Sequence, residues 1–244
     1  MTALLKQSLV RAVANARAES RLPVAILDID LTLLENGPRT RALLGDWARG
    51  MAGRWPGAAA AAERVEHMPL VFSIVANLRA MGVDSDQHLK EGLRFWQEAF
   101  FGTEYCRHDV TLPGAADAVH ALRRAGMTLV YLTARPVSMA EATFCTMTEQ
   151  GFPVGVPRSI LCMKEDAKQG DGEFKAQALD WIGNLGRVVL CADNEPGHIN
   201  QMRAVFPDAL ALLVQTRHSP GAPAIADGVV AVPGLREGIT VEAT

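Results

Sequence analysis

A run of apolar residues ends in two aspartates in the stretch from Val24 to Asn36, which reads VAILDIDLTLLEN. The run has the composition of a buried β-strand, and Asp28 and Asp30 follow it with one isoleucine between them. Residues two apart on an extended chain project from the same face, so the two carboxylates are expected side by side. Like charges this close repel, and a bound cation is the commonest compensation. The stretch therefore predicts an acidic, cation-binding site at a strand end.

The composition of the whole chain is that of an ordinary globular protein. Of its 244 residues, 49% are hydrophobic and 21% are charged, which is enough to bury a substantial core. The formal net charge is −3, and the basic residues are scattered along the chain rather than gathered into a stripe. This pattern argues against a nucleic-acid partner and is compatible with a small phosphorylated substrate.

Nothing in the sequence indicates a membrane protein. No apolar run approaches the length that spans a bilayer, and charged residues interrupt the first twenty positions. That segment is typical of an amphipathic helix that docks on the protein's own core through Leu5, Leu9, Val10 and Val13. We therefore expect a cytoplasmic protein without membrane contact.

The cysteines do not indicate a disulfide framework or a zinc site, because no CxxC spacing occurs. The pattern favours buried thiols in a reducing compartment. The cysteines are Cys106, Cys145, Cys162 and Cys191.

Six short runs rich in Val, Ile and Leu predict strands, and they are continuous rather than alternating. Strands buried on both faces have this pattern, which indicates a parallel sheet covered by helices. Helical patterns separate them at about 115–125, 138–150, 173–184 and 197–205. The predicted strands are residues 23–28, 128–133, 159–163, 187–193, 209–214 and 228–232.

One interval breaks the alternation of strand and helix, because Pro113 lies 78 positions after Glu35. A crossover needs far fewer residues. The interval has helical patterns at 40–51, 58–67, 70–81 and 85–101, and it holds Trp47, Trp55 and Trp96. We interpret these tryptophans as the core of a small helical insertion rather than as a stacking platform. Only 41 residues separate Thr133 from Lys175, so no second insertion fits there.

Polar residues follow several of the predicted strands, at the end where open α/β sheets bind ligands. Asp28 and Asp30 follow the first strand, and Thr133 ends the second. The fourth strand ends in Asp193, Asn194 and Glu195, and Lys175 lies near the start of the helix before that strand. The sequence therefore predicts that these residues converge on one spot.

The chain resembles the haloacid dehalogenase-like (HAD) hydrolase superfamily, whose members are mostly phosphatases. The resemblance rests on four motifs in the expected order, and together they cover about residues 22–215. They are DIDLT at 28–32, LVYLTAR at 129–135, the lysine of GEFKAQAL at 172–179 and VVLCADNEP at 188–196. It implies an α/β fold with a Rossmann-like parallel sheet core at 1–36 and 111–244 and an inserted α-helical cap domain at 37–110.

The resemblance also implies roles for individual residues. Asp28 would be the nucleophile that forms an aspartyl-phosphate, and Asp30 the general acid and base. Thr133 and Lys175, with Ala134 and Arg135 beside them, would bind the substrate phosphate. The expected cofactor is Mg²⁺, with Asp28, Asp30, Asp193 and Asn194 as candidate ligands, Asp30 through its backbone carbonyl.

Some of these assignments stay open in the sequence. The fourth motif, DNEP, departs from the commoner family forms and is similar to that of the small C-terminal-domain phosphatases, so a metal-binding role for Glu195 is less certain than for Asp193. Arg135 could instead pair with a neighbouring acid. We interpret His198 as structural, and Lys164 and Lys168 as solvated.

The function implied is Mg²⁺-dependent hydrolysis of a small phosphorylated metabolite. A haloacid dehalogenase or a phosphotransferase of the same fold is the enzymatic alternative, and a non-catalytic phospho-accepting module is the alternative from another class. Asp30 favours phosphate esters, because dehalogenation does not require it as an acid. The oligomeric state cannot be read from the sequence.

Overall fold

The structure is a computed structural model that describes residues 2–239, with side chains from residue 7 onward. A parallel six-stranded sheet forms its centre, in the order β5-β4-β1-β6-β7-β8. A separate antiparallel ribbon pairs β2 with β3. The strands are β1 (Pro23–Leu27), β2 (Leu34–Glu35), β3 (Val110–Thr111), β4 (Thr128–Pro136), β5 (Ser159–Lys164), β6 (Arg187–Asp193), β7 (Leu210–Val214) and β8 (Val229–Val232).

Helices cover both faces of the sheet. Apolar residues of α1, α6, α7 and α10 pack on one face, and those of α8 and α9 pack on the other. The α-helices of the described residues are α1 (Thr2–Ala18), α2 (Gly37–Gly50), α3 (Ala58–His67), α4 (Ile74–Ala80), α5 (Asp86–Phe100), α6 (Ala115–Arg124), α7 (Ala140–Glu149), α8 (Asp171–Leu185), α9 (Pro196–Val205) and α10 (Leu235–Ile239), and short 3-10 helices lie at Cys106–His108 and Val137–Met139.

The predicted α/β class is confirmed, and the six predicted strands are the six strands of the main sheet. The continuous apolar runs arise because β1, β4 and β6 lie in the interior of the sheet with helices on both sides. Strand β1 is central, with β4 and β6 as its neighbours. The strand ends that carry Asp28, Thr133 and Asp193 are therefore adjacent.

Helices α2 to α5 lie between β2 and β3 and pack around a hydrophobic core of their own. Trp47 is buried in that core, and Trp55 and Trp96 pack against it. The β2–β3 ribbon carries the chain into and out of this helical segment, which we call the cap. The domain limits given by the sequence, 37–110 for the cap, remain a prediction.

The predicted helix at 70–81 is wrong in its first turn, because α4 begins only at Ile74. The Ser73 side chain accepts a hydrogen bond from the Ala76 amide and so caps the helix there. Residues 68–73, which end in Ser73, are not helical. This segment, which we call the entry loop, forms part of the site described below.

The first helix docks as expected through Leu9 and Val13, both of which are buried in the main core. The prediction is wrong for Val10, which is exposed, and the side chain of Leu5 lies outside those described. In the part of the chain that is described, no helix combines the length and the apolarity needed to cross a membrane.

All four cysteines are free, as the sequence suggested. Cys106 and Cys191 are buried and Cys162 is half-buried. Cys145 is exposed, so the prediction of buried thiols is wrong at this position. It lies on α7 between buried residues of that helix, on the side turned to solvent.

Candidate active site

The acidic residues predicted at two strand ends lie side by side in the structure. Asp28 directly follows β1, and its backbone amide donates a hydrogen bond of 3.0 Å to the carbonyl of Ala192 on β6. Asp193 ends β6 and is completely buried. The parallel pairing of β1 with β6 therefore fixes the two carboxylates at one edge of the sheet.

Lys175 joins these two carboxylates. Its Nζ donates hydrogen bonds of 2.7 Å to Asp28 Oδ1 and of 2.7 Å to Asp193 Oδ2. The lysine lies one turn into α8, the helix that carries the chain from β5 to β6, and its side chain is buried. A buried ammonium group between two buried carboxylates stabilises both charges by direct pairing.

Burial and pairing act in opposite directions on these groups. Burial raises the pKa of Asp28 to about 7, and the attraction of Lys175 offsets only part of this effect. Burial would also raise the pKa of Asp193, but Lys175 and His198 outweigh it and lower that pKa to about 2. The two carboxylates raise the pKa of Lys175, which therefore stays protonated. Asp28 is thus the carboxyl group whose charge is least stabilised by the protein alone.

Asp30 is held by two arginines. Arg135 forms a forked pair with its carboxylate, from Nε to Oδ2 at 2.7 Å and from Nη2 to Oδ1 at 2.8 Å. Arg39 donates to Oδ1 at 2.8 Å, and the Asn36 amide donates at 3.2 Å. Burial would raise the pKa of Asp30, but Arg135 and Arg39 outweigh it and hold that pKa well below its usual range. The carboxylate of Asp30 is therefore ionised at neutral pH.

A buried aspartate that precedes β3 completes this cluster. Asp109 lies 2.6 Å from Arg135 Nη2 and 3.0 Å from Arg39 Nε, and its side chain has no exposure to solvent. Two arginines and two aspartates thus balance their charges in the interior. Arg135 pairs with acids here, which is one of the two roles that the sequence left open.

The sequence does not single out Arg39 and Asp109, which the structure places in this cluster. Arg39 follows the first motif in GPRTR, and Asp109 precedes the core strand and helix in RHDV. Both lie next to the β2–β3 ribbon, where the cap joins the core. Charged residues on each side of a large insertion were the available signal. Their pairing depends on the β2–β3 ribbon, whose strands have only two residues each. Strands this short have no periodicity that a sequence could show.

The turn after Asp30 is tight and strained. Leu31 has φ of 61°, in the left-handed region that a branched side chain disfavours. The carbonyl of Ile29 accepts hydrogen bonds from the amides of Thr32, Leu33 and Leu34, and the Thr216 hydroxyl donates to the carbonyl of Leu31 at 2.6 Å. Backbone strain of this kind persists only where surrounding contacts impose it, and here they fix the turn that follows Asp30.

Thr133 ends the apolar part of β4 and is buried at the same edge as Asp28. Its Oγ1 accepts a hydrogen bond of 3.2 Å from the amide of Arg135. The hydroxyl hydrogen is thus left to donate elsewhere. Thr133 and Ala134 both line the cavity that contains Asp28.

The DNEP turn brings both Asn194 and Glu195 to the cavity wall, but their side chains are engaged differently. Asn194 is buried, and its Nδ2 donates to the Arg217 carbonyl at 2.7 Å. The Glu195 carboxylate accepts two hydrogen bonds from Ser219, at 2.8 Å from the amide and 2.7 Å from the hydroxyl. Of these two residues, only Asn194 keeps an oxygen, Oδ1, suited to a ligand.

The structure also places His198 and Lys164, two residues that the sequence left outside the site. His198 lines the cavity, and its Nδ1 lies 3.7 Å from Asp193 Oδ1, so it contributes to the charge environment of that residue. Lys164, which we expected to be solvated, is buried and pairs with Asp171 at 2.6 Å. That expectation is wrong because Lys164 ends β5 rather than belonging to the loop that follows.

The sequence predicts that a bound cation compensates the charges of the first motif. In the structure, lysine and arginine side chains supply much of that compensation. Within residues 2–239, no group of three or more His, Cys, Asp or Glu side chains is arranged to hold a metal ion. The side chain of Asp30 is engaged by its arginines, but carboxylates of Asp28 and Asp193 and the amide oxygen of Asn194 remain. These are hard oxygen donors of the kind that Mg²⁺ takes, so the donor set fits that ion.

A cavity of about 240 Å³ lies over the site. The core supplies its polar floor, with Asp28, Thr133 and Lys175, and the cap supplies an apolar roof. The roof consists of the entry-loop residues 70–72 with Ile74, Trp96, Phe100 and Phe101. The cavity therefore has a charged end and an apolar end.

Comparison with known proteins identifies the fold. No protein-family model and no curated protein matches the sequence. Among solved structures, a HAD-superfamily hydrolase of subfamily IA from Geobacter sulfurreducens PCA matches with a TM-score of 0.53 at 16% identity, over 88% of this chain and 94% of that one. A candidate phosphatase from Clostridium difficile matches with a TM-score of 0.52 at 13% identity, over 80% and 86%.

A candidate β-phosphoglucomutase from Thermotoga maritima also matches, with a TM-score of 0.50 at 15% identity, over 90% of this chain and 97% of that one. The class C acid phosphatase of Bacillus anthracis with tungstate bound matches at 17% identity with a TM-score of 0.42, and this chain spans 63% of its length. The three structures with TM-scores of 0.50 or more show that the chain has the fold of the HAD-like hydrolases. The matching proteins include different reactions, so the fold does not choose among them.

Proposed function

We propose that this protein is a Mg²⁺-dependent phosphatase that hydrolyses the phosphate monoester of a small molecule through an aspartyl-phosphate on Asp28. The observation that carries the proposal is the position of Lys175 between Asp28 and Asp193, with Thr133 at the same sheet edge. A carboxylate, a hydroxyl and an ammonium group that line one cavity are the groups that phosphoryl transfer requires.

The first step forms a bond from an Asp28 carboxylate oxygen to phosphorus and breaks the bond from phosphorus to the ester oxygen. The ester oxygen leaves as an alkoxide that takes its proton from solvent water, which releases hydroxide, and the phosphoryl group stays on Asp28. In the second step water attacks phosphorus and the bond to Asp28 breaks. Inorganic phosphate leaves, and the Asp28 carboxylate is restored.

Thr133 and Lys175 would bind the phosphoryl oxygens. Both already line the cavity, and the ammonium group can follow the negative charge from the carboxylates to the phosphoryl group. Asp28, Asp193 and Asn194 would hold Mg²⁺, which when bound neutralises charge on the phosphoryl group. Because burial raises the pKa of Asp28, added positive charge also favours its nucleophilic, ionised form.

The pairing of Asp30 fits one of its two implied roles better than the other. An ionised carboxylate held by Arg135 and Arg39 can accept a proton from the attacking water, which is the base role of the second step. Protonating the leaving alcohol requires Asp30 to carry a proton, and the two arginines oppose this. Substrates whose alcohols leave easily should therefore react fastest.

The same observation favours a second candidate, a haloacid dehalogenase. By the resemblance, that reaction uses the nucleophile Asp28 and does not need Asp30 as an acid. An Asp30 engaged by two arginines is compatible with it, and so is an apolar cap. Phosphotransfer to a second substrate would use the same residues as hydrolysis.

The experiment that separates the candidates measures both products from one preparation. Purified protein with Mg²⁺ is incubated with a panel of phosphate monoesters and with 2-haloacids, and phosphate and halide are assayed. The proposal expects phosphate release that is lost on removal of Mg²⁺ with a chelator and in Asp28→Asn. Halide release without phosphate release would establish the second candidate, and transfer of phosphate to an added sugar would indicate a phosphotransferase.

A further inference from the structure

The substrate-facing surface of the cap is apolar. In the described part of the cap, Arg39 and Thr40 are the polar side chains that line the cavity, and the rest of the roof is aliphatic or aromatic. Trp96 and Phe100 stack with ring centroids 4.4 Å apart, and Phe101 meets Phe100 edge to face at 5.3 Å. The roof is thus a continuous aromatic surface opposite the phosphate-binding residues.

The cations near this roof already have partners. Arg39 pairs with Asp30 and Asp109, donates to the Phe100 carbonyl, and lies with its guanidinium carbon 3.9 Å from the centroid of the Phe100 ring. Arg217 pairs with Glu35. These pairings occupy both guanidinium groups near the roof, so the roof itself offers little charge to a polar substrate.

The entry loop is held in place by a buried amide. Asn77 of α4 accepts a hydrogen bond from the Val71 amide at 2.9 Å and donates one to the Val71 carbonyl at 2.9 Å. Because both polar groups of Val71 are satisfied by one side chain, the loop is fixed without being helical. It presents residues 70–72 to the cavity.

The fixed loop leaves large apolar side chains in contact with solvent. Val71 is 51% exposed and Phe72 is 43% exposed, and Phe101 on the same cavity wall is 45% exposed. Such exposure does not stabilise the fold. Apolar groups grouped at the wall of a cavity are typical of a surface that a ligand covers.

From this arrangement we infer that the substrate is the phosphate ester of an apolar alcohol, with a ring or short hydrocarbon chain that packs against Phe72, Trp96 and Phe101. The inference rests on the proposed function and names its substrate class. The volume agrees, because the cavity of about 240 Å³ exceeds the roughly 150 Å³ of a protein cavity known to bind benzene. One ring and a phosphoryl group therefore fit in the cavity.

The test compares two esters of primary alcohols, benzyl phosphate and ribose 5-phosphate, so that leaving-group reactivity is similar. The inference expects kcat/KM to be at least about tenfold higher for benzyl phosphate, since even one apolar group in a pocket gives such discrimination. Phe72→Ala should reduce this ratio by about tenfold. Phe144→Ala is the matched control, because Phe144 is also exposed but lies outside the cavity.

A binding measurement gives a readout that does not depend on turnover. Calorimetry with the non-hydrolysable pair benzylphosphonate and methylphosphonate should show at least about tenfold tighter binding of the benzyl compound to the wild type, and less preference in Phe72→Ala. Equal binding of the two compounds would overturn the inference.

The outcomes distinguish this inference from the function it rests on. Hydrolysis of both esters without preference, or with preference for ribose 5-phosphate, overturns the inference and leaves the phosphatase proposal standing. Absence of phosphate release from every ester overturns both. If Phe72→Ala changes the sedimentation coefficient but not the substrate ratio, the exposed side chains form a subunit contact, and the inference is wrong.

Discussion

Arg135 and Asp30 form a forked ion pair across 105 residues of sequence, with both contacts at 2.7–2.8 Å. The pair joins the second motif to the first and orients the carboxylate two residues after the proposed nucleophile. It also reaches Asp109, so that the site and the cap junction share one buried cluster of charges.

Arg135→Met should destabilise the fold strongly. The variant leaves the buried Asp109 and Asp30 with Arg39 as their remaining arginine, and removing one partner of a buried ion pair typically costs about 3–5 kcal/mol. Urea unfolding of the variant and wild type measures the difference. The exposed pair of Arg79 and Asp86 provides the control, since Arg79→Met should cost less than about 1 kcal/mol. Equal losses in the two variants would contradict the burial argument.

The free energy of unfolding should decrease as the pH is lowered, and part of this decrease should depend on Asp30. Its folded pKa lies below the ordinary value of 3.8, so the unfolded chain binds the proton first as the pH falls. The stabilisation is therefore complete above about pH 4 and is lost below it. Asp30→Asn should be less stable at neutral pH. Its free energy of unfolding should also depend less on pH, with a slope smaller by up to about 1.4 kcal/mol per pH unit. Parallel profiles for variant and wild type between about pH 5 and pH 2 would show that Asp30 is not the group responsible.

Lys175→Met should abolish most of the activity. The variant removes the ammonium group that pairs Asp28 with Asp193, and loss of one charge-stabilising donor typically lowers kcat by about 10²–10³. Lys164→Met is the matched control, since Lys164 is also a buried lysine but pairs with Asp171. We expect kcat of the control to stay within a few-fold of wild type. A control that loses as much activity as Lys175→Met would indicate a general effect of removing buried charge.

Asn77→Ala should release the entry loop. The variant loses both hydrogen bonds to Val71 and leaves its backbone groups to water, at a cost of about 1–3 kcal/mol. Hydrogen exchange of residues 68–73 should become faster, and the preference for apolar substrates should weaken. Asn184→Ala, which removes a single exposed hydrogen bond to the Asp180 carbonyl, should change neither property.

The sequence predicts the sheet well because its strands are buried on both faces. Continuous apolar runs locate β1, β4 and β6, and the rule that ligands bind at carboxyl ends brings Asp28, Thr133 and Asp193 to one place. The order of the strands cannot be read from such runs, since all of the runs are similarly apolar. It follows from long-range pairing, which fixes the neighbours of β1.

The parts of the site that the sequence does not predict depend on contacts between distant segments. Arg39 and Asp109 meet because the β2–β3 ribbon returns the chain to the core after the cap. Pro69 and Ser73 could have indicated that the helix begins late, but the hydrogen bonds of Asn77 to Val71 have no local pattern. The compensation of the acidic pair by Lys175 and Arg135 likewise requires segments more than 100 residues away.

The central claim is that Asp28 attacks phosphorus, and the most direct test is to find the phosphoryl group on that residue. The protein is mixed with Mg²⁺ and a readily cleaved phosphate ester, quenched in acid during turnover and digested, and the peptide that contains Asp28 is weighed by mass spectrometry. The account predicts a population of this peptide heavier by one phosphoryl group, absent from Asp28→Asn. Undiminished phosphate release by Asp28→Asn, with no phosphorylated peptide in the wild type, would contradict it.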